Sequence, residues 1–119
     1  MSIPEVALRK TLIEMDNQLQ KNKSELSITD LQLQRQLTNL KIADLTIKEL
    51  TDDKPQYVWE NCGKMFFKTD LNTYNDKLNN EKKIIDEQVN ALTKKKHYLE
   101  TSLNVTFDNM KKYLAPQKD

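Results

Sequence analysis

Apolar residues in the first half of the chain recur with the spacing of one helix face. From Leu8 to Leu33 they follow alternating steps of four and three residues when two polar residues, Asn22 and Thr29, are counted at seam positions. This spacing is typical of the seam of a coiled coil. The first half of the chain is therefore predicted to form a long helix that packs along another helix.

The first seam has one predicted irregularity. Thr29, Leu33 and Leu37 are separated by two successive steps of four residues. This spacing predicts a stutter that locally relaxes a supercoil. The seam then resumes and reaches Leu50. Pro55 and the residue before it disfavour further helix, so the first helix is predicted over about residues 3–51.

The second half repeats the helical pattern. Apolar residues from Leu71 to Tyr113 follow one another mostly at steps of three, four or seven residues. This predicts a second helix over about residues 70–114, followed by a short tail over 115–119.

The two seams also predict how the helices pair. If the helices are antiparallel with the bend near residue 60, the numbers of facing residues sum to about 121, and Asn22, for example, would face Leu99. The expected fold class is mainly α: a long antiparallel coiled-coil helical hairpin with a short β-hairpin at the bend. Residues 1–119 are expected to form a single domain.

A short aromatic and β-branched island, about residues 56–69, separates the two helical patterns. Its two apolar runs flank Gly63, the chain's only glycine, whose access to positive φ predicts the tight turn of a β-hairpin. Alternation would give this hairpin two apolar faces, one with Trp59 and Phe66. Because a lone hairpin with apolar faces and open edges is not stable in water, other chains are expected to cover it. The residues predicted to serve assembly are Val58, Trp59, Cys62, Gly63, Met65, Phe66 and Phe67.

Composition and charge narrow the class of function. The 119 residues are 31% charged with a net charge of +1, which gives no overall attraction to nucleic acid or to an anionic membrane. One cysteine and one histidine make neither an internal disulfide nor a structural zinc site. No apolar run reaches the roughly 20 residues of a membrane span, and the first residues lack the core of a secretory signal. We expect a cytoplasmic protein, with a nuclear pool as an open alternative, and no metal or cofactor.

Few residues suggest chemistry of their own. The lysine run at residues 94–96 is interpreted as a solvated face whose methylene groups cover the seam, with a patch for acidic partners as the alternative. His97 is expected at the surface, and Cys62 is interpreted as a buried structural thiol rather than a nucleophile. No phosphate-binding glycine loop and no nucleophile–base pair are found, so the chain is not expected to be an enzyme.

The island carries a family resemblance. The run from Val58 to Phe67, VWENCGKMFF, resembles the hairpin signature of the β-class prefoldin subunits, through an aromatic residue, a glutamate, a glycine, a basic residue, methionine and phenylalanine in that order. Residues 95–102 and 108–110 are similar to the second helix of those subunits. The likeness extends from about Ala7 to Leu114.

The resemblance implies a role in protein folding. Such a chain would belong to a hetero-hexamer of two α-class and four β-class subunits, in which the hairpins join into a β-barrel platform. The helical arms would capture unfolded polypeptides, chiefly actin and tubulin, and deliver them to the cytosolic chaperonin without ATP or catalysis.

On this resemblance, the free ends of the arms would bind the client. The candidate residues are Val6, Leu8, Leu12, Met15, Phe107, Met110, Tyr113 and Leu114. The alternative for each is that it closes the seam against the other helix. For the chain as a whole, the alternative function is a structural coiled-coil tether or assembly subunit that docks a defined protein partner.

Overall fold

The computed structural model describes residues 4–114, with Cys62 described by its backbone alone. Its four elements, in chain order, are helix α1 (Glu5–Asp53), strand β1 (Tyr57–Cys62), strand β2 (Met65–Asp70) and helix α2 (Leu71–Leu114). The two strands form one antiparallel sheet. This confirms the predicted fold class of two long helices with a β-hairpin between them. The predicted element bounds differ from these by at most two residues, and the end of the second helix at residue 114 agrees. The predicted tail over 115–119 lies outside the described residues.

The end of α1 lies two residues beyond the predicted position. The amide of Lys54 donates to the carbonyl of Leu50 at 3.0 Å, and Lys54 adopts a positive φ of 45°. This is the left-handed conformation that commonly ends helices, here adopted by a lysine instead of the usual glycine. Pro55 follows directly, so the chain cannot continue as helix.

The contacts between Cα atoms divide the chain into two compact units. The terminal unit contains the first helix up to Gln32 and the second helix from Leu92, and the central unit is Leu33–Ala91. The prediction that residues 1–119 form one domain stays a prediction.

In the terminal unit the two helical segments lie side by side. Asn22 and Leu99, which were predicted to face each other, line one surface groove of about 450 Å³, and Leu26 and Lys96 line a second of about 360 Å³. Residue numbers rise in one segment as they fall in the other, so the segments are antiparallel. Among the described residues of this unit, Leu19, Thr29 and Leu99 are buried.

In the central unit an ion pair joins the two helices. Lys82 Nζ lies 2.6 Å from Asp44 Oδ1. Among the side chains of this unit that the structure describes, the buried apolar ones are Leu33, Ala43 and Leu78. Ala43 and Leu78 both belong to the predicted seams. Apolar burial along one stripe of each helix is the expected main source of stability for such a pair.

The predicted stutter in α1 is wrong. Leu37 is 40% exposed, whereas Gln36 is half-buried, so the steps of four and three continue through α1 without interruption. The irregularity lies in α2, where Tyr74, Leu78 and Lys82 are at least half-buried at two successive steps of four. Apolarity did not identify these seam positions because the aliphatic parts of glutamine and lysine side chains also cover a seam.

The bend lies further along the chain than predicted. Paired residues in the hairpin have numbers that sum to 127, as in Tyr57 with Asp70, so its centre is between Gly63 and Lys64 and not at residue 60. The connections explain the offset. Residues 54–56 separate α1 from β1, whereas α2 follows β2 without a linker.

Candidate assembly and client-binding surfaces

The hairpin turn consists of Gly63 and Lys64. Cys62 pairs with Met65 across it, and Gly63 has a φ of +65°. A two-residue loop with positive φ at its first position only is the pattern of a type II′ turn, which matches the twist of the strands. A Cβ on Gly63 would meet open space, so the backbone conformation is what requires glycine. The predicted tight turn is confirmed.

The register divides the hairpin's side chains between two faces. We call the first the aromatic face, defined by Tyr57, Trp59, Asn61, Phe66, Lys68 and Asp70. We call the second the anchored face, defined by Val58, Glu60, Met65, Phe67 and Thr69. The predicted separation of Trp59 and Phe66 from Val58, Met65 and Phe67 is confirmed. The side chain of Cys62 lies outside the described residues.

Both faces expose large apolar side chains. On the aromatic face Trp59 is 67% and Phe66 65% exposed, and on the anchored face Met65 is 65% and Phe67 51% exposed. Val58 is half-buried. A cluster of this kind on a small hairpin usually marks a surface that another chain covers.

The rim of the aromatic face has a cation–π contact. Lys68 Nζ lies 4.0 Å from the centroid of the Tyr57 ring. Such contacts hold a lysine over an aromatic surface while its ammonium remains in water. The contact leaves Trp59 and Phe66 uncovered.

Glu60 joins three elements on the anchored face. Its Oε2 accepts a hydrogen bond of 2.6 Å from the Thr69 hydroxyl on β2, and its Oε1 lies 2.8 Å from Lys77 Nζ on α2. The side chain of Glu60 is only 17% exposed. The hydrogen bonds from Lys77 and then Thr69 lower the pKa of this carboxyl below its usual range, because both favour the charged form. A backbone hydrogen bond also joins the start of α2 to the residue before β1, since Leu71 N donates to Gln56 O at 3.3 Å.

The role of Glu60 was not predicted beyond its place in the hairpin signature. The available signal was its position, because it is the one charged residue of β1. Periodicity alone did not reveal Lys77 as its partner, since the two residues are far apart along the chain.

The candidate client-binding residues all lie in the terminal unit and differ in exposure. Val6, Phe107, Tyr113 and Leu114 are exposed, Val6 by 79% and Leu114 by 66%. Leu8, Leu12, Met15 and Met110 are half-buried at seam positions. Lys111 Nζ lies 4.7 Å from the centroid of the Phe107 ring.

Besides these candidates the terminal unit exposes further apolar residues, and two of them lie close to the arm ends. Ile13 is 61% and Val105 53% exposed. Neither residue was among the predicted client-binding candidates, because most of those candidates occupy seam positions. Their position beside the seam was the signal that could have identified them.

The lysine run in α2 does not form a uniform basic surface. Lys94, Lys95 and His97 are exposed, but Lys96 is half-buried, with its Nζ 2.8 Å from Asp30 Oδ1. This carboxylate raises the pKa of Lys96 above its usual value because it favours the charged ammonium. One lysine of the run therefore covers the seam as predicted.

Neither a metal-binding cluster nor a membrane-spanning helix occurs in the part of the chain that the structure describes. Residues 4–114 contain no group of three or more His, Cys, Asp or Glu side chains arranged to hold a metal ion. Within the same residues, neither helix has an apolar stretch long enough to cross a membrane.

Comparisons with known proteins agree with this architecture. Residues 10–117 match the family model described as prefoldin subunit. The chain is 35% identical over 98 residues to prefoldin subunit 1 of Saccharomyces cerevisiae, an alignment covering 82% of this chain and 90% of the yeast protein. It is also similar to the crystal structure of the prefoldin beta subunit from Thermococcus strain KS-1, with a TM-score of 0.81, 20% identity and 98% of each chain covered. The structural likeness supports the fold, and the sequence matches establish that this chain belongs to the prefoldin subunit family.

Proposed function

We propose that this chain is a non-enzymatic subunit of a hetero-hexameric prefoldin complex that captures unfolded polypeptides. The observation that carries the proposal is the exposure of Trp59 and Phe66 on one hairpin face and of Met65 and Phe67 on the other. Covering both faces with neighbouring chains removes this apolar area from water, at about 25 cal/mol per Å². The proposed partners are two α-class and other β-class prefoldin subunits.

Client capture is assigned to the ends of the arms. The exposed side chains of Val6, Phe107, Tyr113 and Leu114 support this, because they offer apolar surface to an unfolded chain. Met15 and Met110 are half-buried in the same unit, and flexible methionine side chains adapt to varied partners. The proposed clients are unfolded actin and tubulin, delivered to the cytosolic chaperonin without ATP and without any cofactor. The proposed location is the cytoplasm, with a nuclear pool as an alternative.

A deletion experiment tests this function. The complex is assembled with the chain lacking residues 1–9 and 108–119, and its ability to suppress aggregation of denatured actin is measured by light scattering. We expect assembly to be preserved and protection to fall, because the hairpin remains while the arm ends are removed. A matched control replaces Lys94 and Lys95 by serine, which changes exposed charge on the same helix without removing apolar surface. Undiminished protection after the deletion would contradict client capture by these ends.

The same measurement distinguishes the alternative of a structural tether. A tether would join the assembly but leave aggregation of the denatured client unchanged even with both arms intact. Suppression by the complete complex that falls with the deletion therefore supports the capture function over the tether.

A further inference from the structure

Assembly through the hairpin, as proposed above, would bury the carboxylate of Glu60. Its carboxylate lies on the anchored face, directly across from Phe67 in the strand register and on the same face as Met65. If partner chains cover this face, they also remove Glu60 from water. A carboxylate buried without a partner is strongly unfavourable, whereas a paired one is tolerated.

The chain supplies the compensation from its own elements. Thr69 and Lys77 each donate a hydrogen bond to one carboxylate oxygen of Glu60, at 2.6 and 2.8 Å. The Glu60 side chain is only 17% exposed even before any partner chain is present. One of these donors comes from the neighbouring strand and the other from α2. The ion pair therefore connects the hairpin to the helix that follows it.

We propose that Lys77 neutralises Glu60 in advance, while Thr69 donates a hydrogen bond to its other oxygen, so that the anchored face can be covered by partner subunits without burying an unpaired carboxylate. In this role Lys77 is a positioning and charge-compensating residue of the assembly surface rather than a direct partner contact. The inference rests on the proposed assembly through the hairpin.

The hairpin's connections are consistent with this role. On the α2 side, β2 continues directly into the helix and Leu71 N bonds to Gln56 O at 3.3 Å. On the α1 side, the linker of residues 54–56 includes Lys54 with its positive φ. The Glu60–Lys77 pair thus reinforces the side on which the hairpin is already held.

The test compares single and double substitutions. Lys77→Met leaves Glu60 without its cation, and we expect it to weaken incorporation of the chain into the complex by roughly tenfold or more. Adding Glu60→Gln removes the stranded charge, so the double variant Glu60→Gln, Lys77→Met is expected to recover most of that loss. Incorporation is measured by diluting the complex, formed with the prefoldin subunits of the same organism, and quantifying the retained chain by native mass spectrometry.

Lys82→Met is the matched control. It makes the same substitution on α2 and also removes a short ion pair in the central unit, but its partner Asp44 is 50% exposed and remains hydrated. We expect incorporation within about twofold of the unchanged chain, because exposed pairs contribute little. Circular dichroism of each isolated variant checks that helix content is retained.

The outcomes separate this inference from the proposed function. If Trp59→Ser with Phe66→Ser leaves incorporation unchanged, assembly through the hairpin is wrong. If the double substitution of Trp59 and Phe66 releases the chain but Lys77→Met is incorporated as well as Lys82→Met, only the charge compensation is wrong. A double variant as poorly incorporated as Lys77→Met alone would also overturn it, since the stranded charge would then not be the cause.

Discussion

The ammonium of Lys96 lies 2.8 Å from the carboxylate of Asp30, although Lys96 itself occupies a seam position of α2. Lys96 shares a groove with Leu26, and Asp30 is one turn further along α1. Side chains in a helix lean toward its N-terminus, which in an antiparallel pair directs Lys96 toward Asp30. Lys82 and Asp44 repeat the arrangement two heptads along the sequence.

The Lys96 pair predicts a loss of stability at high pH. Asp30 raises the pKa of Lys96 above the usual 10.5. A raised pKa means that the stabilisation is complete below the unfolded-state value and is lost as the pH rises through the folded-state value. Urea unfolding between pH 9 and pH 11.5 should therefore show a smaller decrease for Lys96→Met than for the unchanged chain. Equal decreases in the two proteins would show that the pair contributes nothing to this pH dependence.

Replacing Thr29 should stabilise the terminal unit. Thr29 is fully buried, and its hydroxyl has no hydrogen-bond partner among the described residues. Because an unsatisfied buried hydroxyl costs about 1–3 kcal/mol, Thr29→Val is expected to raise the free energy of unfolding by about that amount. Thr29→Ser, which keeps the hydroxyl and removes the methyl group, is the control and should be destabilising. A lower urea midpoint for Thr29→Val would contradict the prediction.

A side chain at position 63 should destabilise the hairpin. Gly63 has a φ of +65° with open space around it, so the cost of Gly63→Ala comes from the backbone and is expected to be about 1–2 kcal/mol. Gly63→Asn should cost less, because asparagine tolerates this conformation better than alanine. Amide hydrogen exchange in the two strands measures both effects. Equal exchange rates for the alanine and asparagine variants would argue against a conformational origin.

The attachment of the hairpin to α2 should weaken in acid. The pKa of Glu60 is lowered by Lys77 and Thr69, so its stabilisation is present above the unfolded-state pKa and is lost as the pH falls through the folded-state pKa, below the usual 4.5. Amide exchange of β1, corrected for its intrinsic pH dependence, should reveal this opening. In Glu60→Gln the same acid transition should be absent, and its persistence there would assign it to another group.

Trp59 should report directly on assembly. It is the chain's only tryptophan and is 67% exposed, so the isolated chain is expected to fluoresce like a hydrated indole. Covering the aromatic face should shift this emission to shorter wavelength, measured as the difference from a complex that carries Trp59→Phe. Emission that stays unshifted in the complex would mean that the aromatic face remains in water.

Much of the fold follows from short-range properties of the sequence. Apolar spacing identified both helices, Pro55 indicated where the first one ends, and Gly63 indicated the turn. These features depend on φ and ψ preferences and on one-dimensional periodicity, so they can be recognised without knowing what packs against them. The two faces of the hairpin were also predictable, because side chains alternate along any strand.

The exposure of the candidate client-binding residues could not be predicted from such short-range properties. The arm ends could be proposed from their position in the sequence, but exposure separated Leu114 from Met110, which are both apolar and close together in the sequence. Exposure depends on whether a side chain points toward the other helix. Ile13 and Val105 were missed for the same reason.

By itself the sequence determined two helices, a glycine turn and a hairpin with two apolar faces. Only the tertiary structure decided that Gln36 and Lys82 occupy the seam and that Glu60 bonds to Lys77. Long polar side chains place their aliphatic part and their charged end in different environments, and a partner some distance along the chain determines where each part lies. Periodicity indicates the direction in which a side chain leaves its own helix or strand, but it contains no information about which residue that side chain contacts.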